Sequence, residues 1–377
     1  MEKLSVPQGR FGLSRYPVRK KETLRAWDAA DEYLLNEVAD KNLTAVAPRL
    51  LILNDGFGAL SVALSDFMPA MMSDSYLAQQ ATLLNLQNNQ IRPDRVRLSS
   101  CLDRPDGIYD LVLVKIPKNR SLLEDQLFRI RPHINKDTKI IGAGMVKGIH
   151  RSTLELFNHI LGPTHTSLAR KKARLIFCEP DMTIDPGDNP YPRTFSLDKP
   201  RHEITCHSNV FSQSGLDIGT RFFIEYIPAS DQTSTIIDLG CGNGIIGLVA
   251  AELNPNAELL FIDESFMSVE SAKATFNAAF GGLRKADYQP NDCLAGIAEN
   301  SADLVLCNPP FHQHAAIGDV TAWQMFGDAK KVLKRGGELW VVGNRHLAYH
   351  VKLKRLFGNY VNIASNNKFV ILKAKKR

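Results

Sequence analysis

From Thr235 the chain reads TIIDLGCGNGIIGLVAAELNPNAELLFIDES. A β-branched run closes on Asp238, and glycines at alternate positions (Gly240, Gly242, Gly244) form a turn. A helical apolar period opens at Ile245, and a second apolar run, Glu258 to Ile262, ends in Asp263. This is a βαβ unit of about thirty residues, which commits the chain to a parallel sheet covered by helices. An acid at the end of the second strand can accept both hydroxyls of a ribose. The glycine-rich turn alone is common to many nucleotide folds and selects no ligand. A dinucleotide site is disfavoured, because the acid Asp238 precedes the turn and Gly242, Gly244 and Gly247 only approach the spacing G-x-G-x-x-G.

A third strand of the same unit leads into Asn291-Asp292-Cys293, and a fourth reads DLVLCNPPFHQ from Asp303 to Gln313. Two successive prolines, Pro309 and Pro310, fix φ and remove two backbone donors, so the strand must stop there. A stiff, extended turn then stands at a strand's carboxyl end, where open α/β sheets bind their ligands.

The front half carries the same pattern in worn form. Residues 50–63 read LLILNDGFGALSVA, residues 73–76 SDSY, and YDLVLVKIPK follows from Tyr109. Aligned on the back half, Gly56 and Gly58 fall on Gly242 and Gly244, Asp74 on Asp263, and DLVLVKIP on DLVLCNPP. The chain reads as an internal duplication with unequal copies. Ile52 replaces Asp238, Asn54 replaces Gly240, and Lys115, Ile116 and Lys118 replace Asn308, Pro309 and Phe311. The front copy keeps the apolar strands that build a sheet and lacks the polar groups that would hold a ligand.

At 377 residues the chain has room for two domains. Its six cysteines include no Cys-x-x-Cys pair, which argues against a disulfide framework or a zinc ribbon, and no metal is expected. No apolar run reaches the ~20 residues that span a bilayer, and the first residues lack an apolar signal core, so a cytoplasmic protein is expected. The net charge is +6, and residues 1–200 hold 28 Lys and Arg against 23 Asp and Glu, so most of the surplus lies in the front half. Beyond Glu338 come nine basic residues and no acid. Such a balance suits a polyanionic partner, and equally an ordinary solvated basic face.

The back half resembles the class I, Rossmann-like methyltransferases that use S-adenosylmethionine, on the strength of DLGCGNG, Asp263, Asp292 and NPPF. The last is the form of the Asn/Asp-Pro-Pro-aromatic signature of enzymes that methylate planar exocyclic amines. The resemblance implies that Gly240, Gly242 and Gly244 approach the methionine part of the cofactor, Asp263 its ribose, Asp292 its adenine and Asp238 its amino-acid moiety. The preceding segment HSNVFSQSGLDIGTRF is similar to one that covers the cofactor with Phe211 and lines its site with Asp217, Gly219 and Thr220; Phe211 could also be a core aromatic. Catalysis would fall to Asn308, Pro309, Pro310 and Phe311. The amine of a base is a poor nucleophile because its lone pair is delocalised. The Asn308 side-chain oxygen and the Pro309 carbonyl could hold both amine hydrogens and aim the lone pair, while Phe311 stacks on the base. His312 and His314 flank the loop and read as surface residues beside a substrate groove.

With the degenerate front copy included, nearly the whole chain is similar to the bacterial ribosomal RNA guanine-N2 methyltransferases. Further stretches, among them WDAADEYLL (27–35), KKARLIF (171–177) and NRHLAYHVKLKRLFGN from Asn344, look like the large-subunit family, methyltransferase G. The small-subunit methyltransferase C is its sibling. The implied fold is α/β: two tandem Rossmann-like methyltransferase domains, the N-terminal copy degenerate. Expected boundaries are an RNA-binding domain at 1–180, a proline-rich linker at 181–195 and a catalytic domain at 196–377. The implied activity is transfer of methyl from S-adenosylmethionine to N2 of one guanine in 23S ribosomal RNA. N6-methylation of adenine, N5-methylation of a protein glutamine and a non-catalytic RNA-binding assembly factor remain alternatives. Candidate RNA contacts are Lys115, Lys118, Lys171, Lys172 and Arg174.

Overall fold

Near-continuous apolar runs such as Leu50–Leu53 and Ala302–Cys307 can bury both faces only inside a parallel sheet covered on both sides. In the computed structural model, which describes residues 2–19, 22–198, 201–310 and 315–377, two such sheets form, one in each of two units, Met1–Tyr191 and Pro192–Arg377.

The first unit opens with a hairpin, β1 (Glu2–Val6) and β2 (Gly9–Leu13), followed by α1 (Ala29–Asp40). Then come β3 (Leu50–Leu53), α2 (Ala59–Ala63), β4 (Ala70–Ser73), α3 (Tyr76–Asn88), β5 (Arg97–Ser100), β6 (Leu111–Lys115) and α4 (Arg120–Ile130). The unit closes with β7 (Lys139–Met145), α5 (Arg151–Ile160), β8 (Thr164–Thr166) and β9 (Ala173–Cys178). Its seven strands run in the order β5-β4-β3-β6-β7-β9-β8, parallel except for β9, which is antiparallel to both β7 and β8.

The second unit repeats this plan behind another hairpin, β10 (Arg193–Asp198) and β11 (Arg201–Cys206). Its elements are α6 (Ile218–Ile224), β12 (Thr235–Leu239), α7 (Ile245–Leu253), β13 (Glu258–Asp263), α8 (Phe266–Phe280), β14 (Ala286–Pro290) and β15 (Ala302–Cys307). They continue through α9 (Ala315–Val332), β16 (Leu333–Asn344), α10 (Tyr349–Phe357), β17 (Val361–Ser365) and β18 (Phe369–Lys375). The strand order β14-β13-β12-β15-β16-β18-β17 matches the first unit strand for strand.

The duplication extends to single residues. Leu53 pairs with Met72 and Val114 as Leu239 pairs with Ile262 and Cys307. Asn54 takes the left-handed φ of 62° that Gly240 takes at 76°, and their amides donate to the Met72 and Ile262 carbonyls. Gly58 and Gly244 start α2 and α7 at φ of 78° and 81°. A Cβ on either would lie 2.8 Å from the backbone of the next helix, at Thr82 and Ala272. Only glycine fits where α2 meets α3, and α7 meets α8, so closely.

The registers make Lys115 the counterpart of Asn308 and correct one expectation: Ser73, not Asp74, is the counterpart of Asp263. Ser73 follows Met72 as Asp263 follows Ile262. Both accept from the amide two residues on, Ser75 to Ser73 Oγ at 3.2 Å and Ser265 to Asp263 Oδ1 at 3.1 Å.

The segment expected as a linker is bound to the first unit as far as Tyr191. Arg131 donates to the carbonyls of Asp181 and Ile184, Asn189 Nδ2 to Asp125 Oδ1 at 2.7 Å, and Tyr191 Oη to Glu124 at 2.8 Å. Arg193 already begins β10. The dense Pro and Asp of this stretch disfavour helix and strand, but side chains of α4 and the turn after it hold it at Asp181, Ile184, Asn189 and Tyr191. No helix among the described residues is long and apolar enough to cross a membrane.

Candidate active site

The carboxyl ends of β12, β13 and β15 gather the polar groups that the sequence singled out. Asp238, the last residue but one of β12, is fully buried, and its Oδ2 accepts from the Gly247 amide at 2.8 Å. Gly247 is without alternative here, since a Cβ would stand 2.2 Å from the Phe261 ring. The other oxygen, Asp238 Oδ1, is buried with no partner among the described residues. Burial pushes this carboxyl up to about 8, with the Gly247 amide opposing the rise and the charge of Asp263 adding to it. A buried acceptor left unsatisfied costs about 1–3 kcal/mol, so the position favours a ligand that supplies a donor or a positive charge.

Asp263 closes β13. Its Oδ2 accepts from the Gly242 amide at 3.1 Å and its Oδ1 from Ser265, which also caps α8. Burial raises its pKa while the amides of Ser265, Gly242 and Glu264 hold it down. The carboxylate therefore braces the glycine turn and stands at its rim. Beyond Gly242 the space that a Cβ would enter is open to 4 Å. Asp292, just past β14, is buried, and its Oδ1 accepts from Gln324 Nε2 of α9 at 2.7 Å. Gln324 was not legible as a site residue, because nothing in the period of α9 separates it from other polar positions.

The segment between β11 and α6 supplies the other wall. Phe211 is 60 % exposed, which rules out the core-aromatic alternative. Asp217 caps α6, its Oδ2 accepting from the Thr220 amide at 3.0 Å and from the Thr220 hydroxyl at 3.5 Å. Gly219 is buried, and a Cβ there would lie 3.1 Å from the Phe369 ring.

Thr220 links this wall to the turn after β15. Its hydroxyl oxygen accepts from Asn308 Nδ2 at 3.1 Å. Asn308 Oδ1 is left buried with no partner among the described residues. Pro309 is buried and Pro310 exposed; Phe311, with His312 and His314, lies outside the described residues. Asp217, Thr220 and Asn308 thus form a short chain of hydrogen bonds that ends in an acceptor with no partner among the described residues. The thiols of Cys241 and Cys307, buried beside the turn, are driven far up by burial and are poor nucleophiles.

In the first unit the corresponding edge has a different use. Lys115, in the place of Asn308, is ion-paired with Asp31 at 2.6 Å and Asp28 at 3.0 Å, with only 14 % of its side chain exposed. Burial pushes Asp31 up to about 6 against the pull of Lys115. Burial also raises Asp28, but Lys115 and the capping amides of Ala30 and Asp31 outweigh it and leave Asp28 lowered. Lys115 is therefore corrected from a phosphate contact to an internal counter-ion. Asn54 Nδ2 donates to the Lys115 carbonyl at 3.1 Å and to Gln126 at 2.8 Å, so in the first unit an amide side chain closes the turn where the second unit has Gly240.

The carboxylate that accepts from the first turn of the helix after the glycine turn, α2 here and α7 in the second unit, has moved as well. Ile52 stands in the place of Asp238, and Asp55 Oδ2 accepts from the amide of Ser61, the counterpart of Gly247, at 2.8 Å.

Of the other basic candidates, Lys118 is exposed, Lys171 pairs with Glu32 at 2.8 Å while remaining 77 % exposed, and Lys172 is exposed. Both Lys171 and Lys172 hold left-handed φ, 49° and 64°, in the tight turn before β9. Arg174 is half-buried with its Nε unpartnered among the described residues. A groove of about 660 Å3 lies at the opposite, amino-terminal edge of the second sheet, lined by Arg335, Lys373, Lys375 and Arg377 with Glu338. It takes no part in the site described above.

A seven-stranded sheet of this order, with acids at the ends of its first two strands and Asn-Pro-Pro after the fourth, defines a Rossmann-like methyltransferase. Residues 201–373 match the family described as methyltransferase small domain, and residues 1–182 match the RLMG N-terminal domain. The chain belongs to the ribosomal RNA large subunit methyltransferase G family. It is 48 % identical to the Streptomyces coelicolor protein of that name over 379 residues, covering 99 % of this chain and all of the relative. It is 49 % identical to the Aeromonas salmonicida protein over 375 residues, covering 99 % of each. Among solved structures, the T. thermophilus 16S rRNA N2 methyltransferase RsmC, in complex with AdoMet and guanosine, superposes with a TM-score of 0.76 at 20 % identity. That match covers all of this chain and 98 % of the other. At that identity the likeness speaks to the fold.

Proposed function

We propose that the second unit transfers a methyl group from S-adenosylmethionine to the exocyclic N2 amine of a guanine in 23S ribosomal RNA, and that the first unit contributes to holding the RNA. The observation that carries this reading is Asn308 Oδ1, unpartnered among the described residues and aimed by Asp217 and Thr220 beside a glycine turn edged with carboxylates. The residues suit the cofactor: Asp238 offers a buried acceptor to its ammonium group, Asp263 stands where ribose hydroxyls can donate, and Asp292 with Gln324 faces the base. Phe211, already exposed, covers the bound molecule. The sulfonium supplies an electrophilic methyl. The work of the protein is then to hold the amine: Asn308 Oδ1 and the Pro309 carbonyl accept its two hydrogens, and the prolines keep both acceptors still. Positioning of this kind needs no strong base. Phe311 completes the site by stacking on a base turned out of its helix. Family membership and a basic first unit favour RNA over a protein glutamine, and the unsatisfied acceptors at the glycine turn favour an enzyme over an assembly factor without activity.

Calorimetry on the full chain tests the cofactor half of this reading. One S-adenosylmethionine is expected to bind per chain, and Asp263→Ala is expected to abolish that binding, because the carboxylate both braces the turn and meets the ligand. Two sites per chain would mean that the first unit also binds, against its Ser73 and its closed Asn54 turn.

RNA contacts are assigned to Lys118, Lys171, Lys172 and Arg174, with the groove around Lys375 as a further basic surface. The double substitution Lys118→Ala with Lys172→Ala is expected to weaken RNA association and lower the log–log salt slope by about one unit for each phosphate no longer neutralised. Cofactor affinity should stay as it was. An unchanged slope would move the RNA surface to the groove.

A further inference from the structure

The duplication provides an internal control. Wherever the second unit uses a polar group at the carboxyl edge, the first has something else: Ile52 for Asp238, Ser73 for Asp263, Lys115 for Asn308. The registers add a fourth pair. Val114 faces Gly142 on β7 as Cys307 faces Val341 on β16, so Met145 is the counterpart of Asn344. Asn344 is the last residue of β16, the strand next to β15, and its Oδ1 is also buried with no partner among the described residues.

Asn344 lies on the same side of the sheet as Asn308. Side chains alternate along a strand, and Val341, Leu339 and Cys307 belong to the core under α9 and α10. Val342 and Asn344 therefore face α6, as Asn308 does through Thr220. The first turn of α6 joins the two positions. Thr220 holds Asn308, and Gly219 lies against the ring of Phe369, which is the cross-strand partner of Asn344. Adjacent strands are about 4.8 Å apart, and Asn344 stands two residues beyond the level of Asn308, about 7 Å further along. The edge of one base can span that gap with two side chains reaching toward it.

We infer that Asn344 reads the N1–H of the target guanine, beside the acceptors that hold its N2 amine. This rests on the proposed methylation of guanine. Guanine presents N1–H and N2–H2 as adjacent donors, whereas adenine has an acceptor next to its amine and glutamine a carbonyl. A second buried acceptor is satisfied by guanine alone among the three. A methionine at the position, as in the first unit, has no oxygen to offer.

Single-turnover methylation of a synthetic RNA with guanine at the target, or with 2-aminopurine there, tests this. 2-Aminopurine keeps the N2 amine and lacks N1–H. The unsubstituted enzyme is expected to prefer guanine by at least about 10²-fold, since a site that hydrogen-bonds a donor rejects the analogue without it. Asn344→Ala and Asn344→Met should slow guanine methylation by a similar factor and leave 2-aminopurine nearly as before, so the preference collapses. Asn344→Asp keeps an acceptor and should keep the preference. Unchanged S-adenosylmethionine binding by calorimetry certifies that each variant is folded. Retention of the full preference in both Asn344→Ala and Asn344→Met would overturn the inference while leaving N2 methylation intact. Failure of the unsubstituted enzyme on the guanine RNA would instead overturn the guanine reading itself, and the inference with it.

Discussion

Asn308→Ala should retain S-adenosylmethionine and RNA binding and lose about 10²- to 10³-fold in single-turnover methylation, the scale on which one preorganised hydrogen bond at a reacting group acts. Asn308 Oδ1 has no partner among the described residues, and its amide nitrogen is already committed to Thr220. The substitution therefore removes an interaction that matters only as the amine turns its lone pair toward the methyl, and loss of rate without loss of affinity is the signature of that. Asn308→Asp keeps an acceptor in place and should lose less. If Asn308→Ala methylates at the parent rate with saturating RNA, the NPPF turn is only a strand terminator and the acceptor-pair mechanism fails.

The second large effect is one of stability. Lys115→Met should destabilise the first unit by about 3 to 5 kcal/mol, the cost of removing one partner from a buried ion pair. Asp31 is 8 % exposed in its side chain, and Lys115 is the cation paired with both it and Asp28. Without the ammonium, two carboxylates face each other in a partly dry pocket and α1 must shift or take up a proton. The triple change Lys115→Met, Asp31→Leu, Asp28→Asn should recover most of the loss, because replacing a whole buried ionic cluster with apolar groups costs far less than breaking it. Urea denaturation of the full chain measures both. A single variant as stable as the parent would mean that Lys115 is not the counter-ion described here, and its role in RNA binding would return to consideration.

Much of this site was legible because its chemistry is local in sequence. Asp238, the glycines, Asp263 and Asn308 each sit at a strand end, and a strand end can be read from where apolar residues stop and Gly or Pro begins. The duplication was legible for the same reason, with one slip. SDSY offers an acid at its second position, and charge invited an alignment with Asp263 that only the pairing register corrects to Ser73. Partners brought from a distance were not legible. Asp28 and Asp31 lie more than eighty residues before Lys115, and nothing local says that this lysine points inward. Gln324 on Asp292 and the unsatisfied Asn344 belong to the same kind, since an amide at a strand end or on a helix looks like any solvated amide until the fold encloses it. The expected linker is a related case. Proline and aspartate exclude regular structure, but they do not prevent a segment from being strapped down by side chains elsewhere.

The left-handed turn of Gly58, pressed against the backbone of Thr82 as Gly244 is against Ala272, bears on how such chains are recognised. The first unit has given up the acids of a ligand site, yet it keeps this glycine, because helix crossing demands it whether or not anything is bound. A search that scores the glycines of the turn will therefore credit a retired copy with the trade of its working twin. The acids and amides at the strand tips carry the opposite information, being free to drift once the ligand is gone. Weighting a profile toward tip residues and away from the turn would let one polypeptide be divided into the half that keeps the polar tips of a ligand site and the half that lacks them.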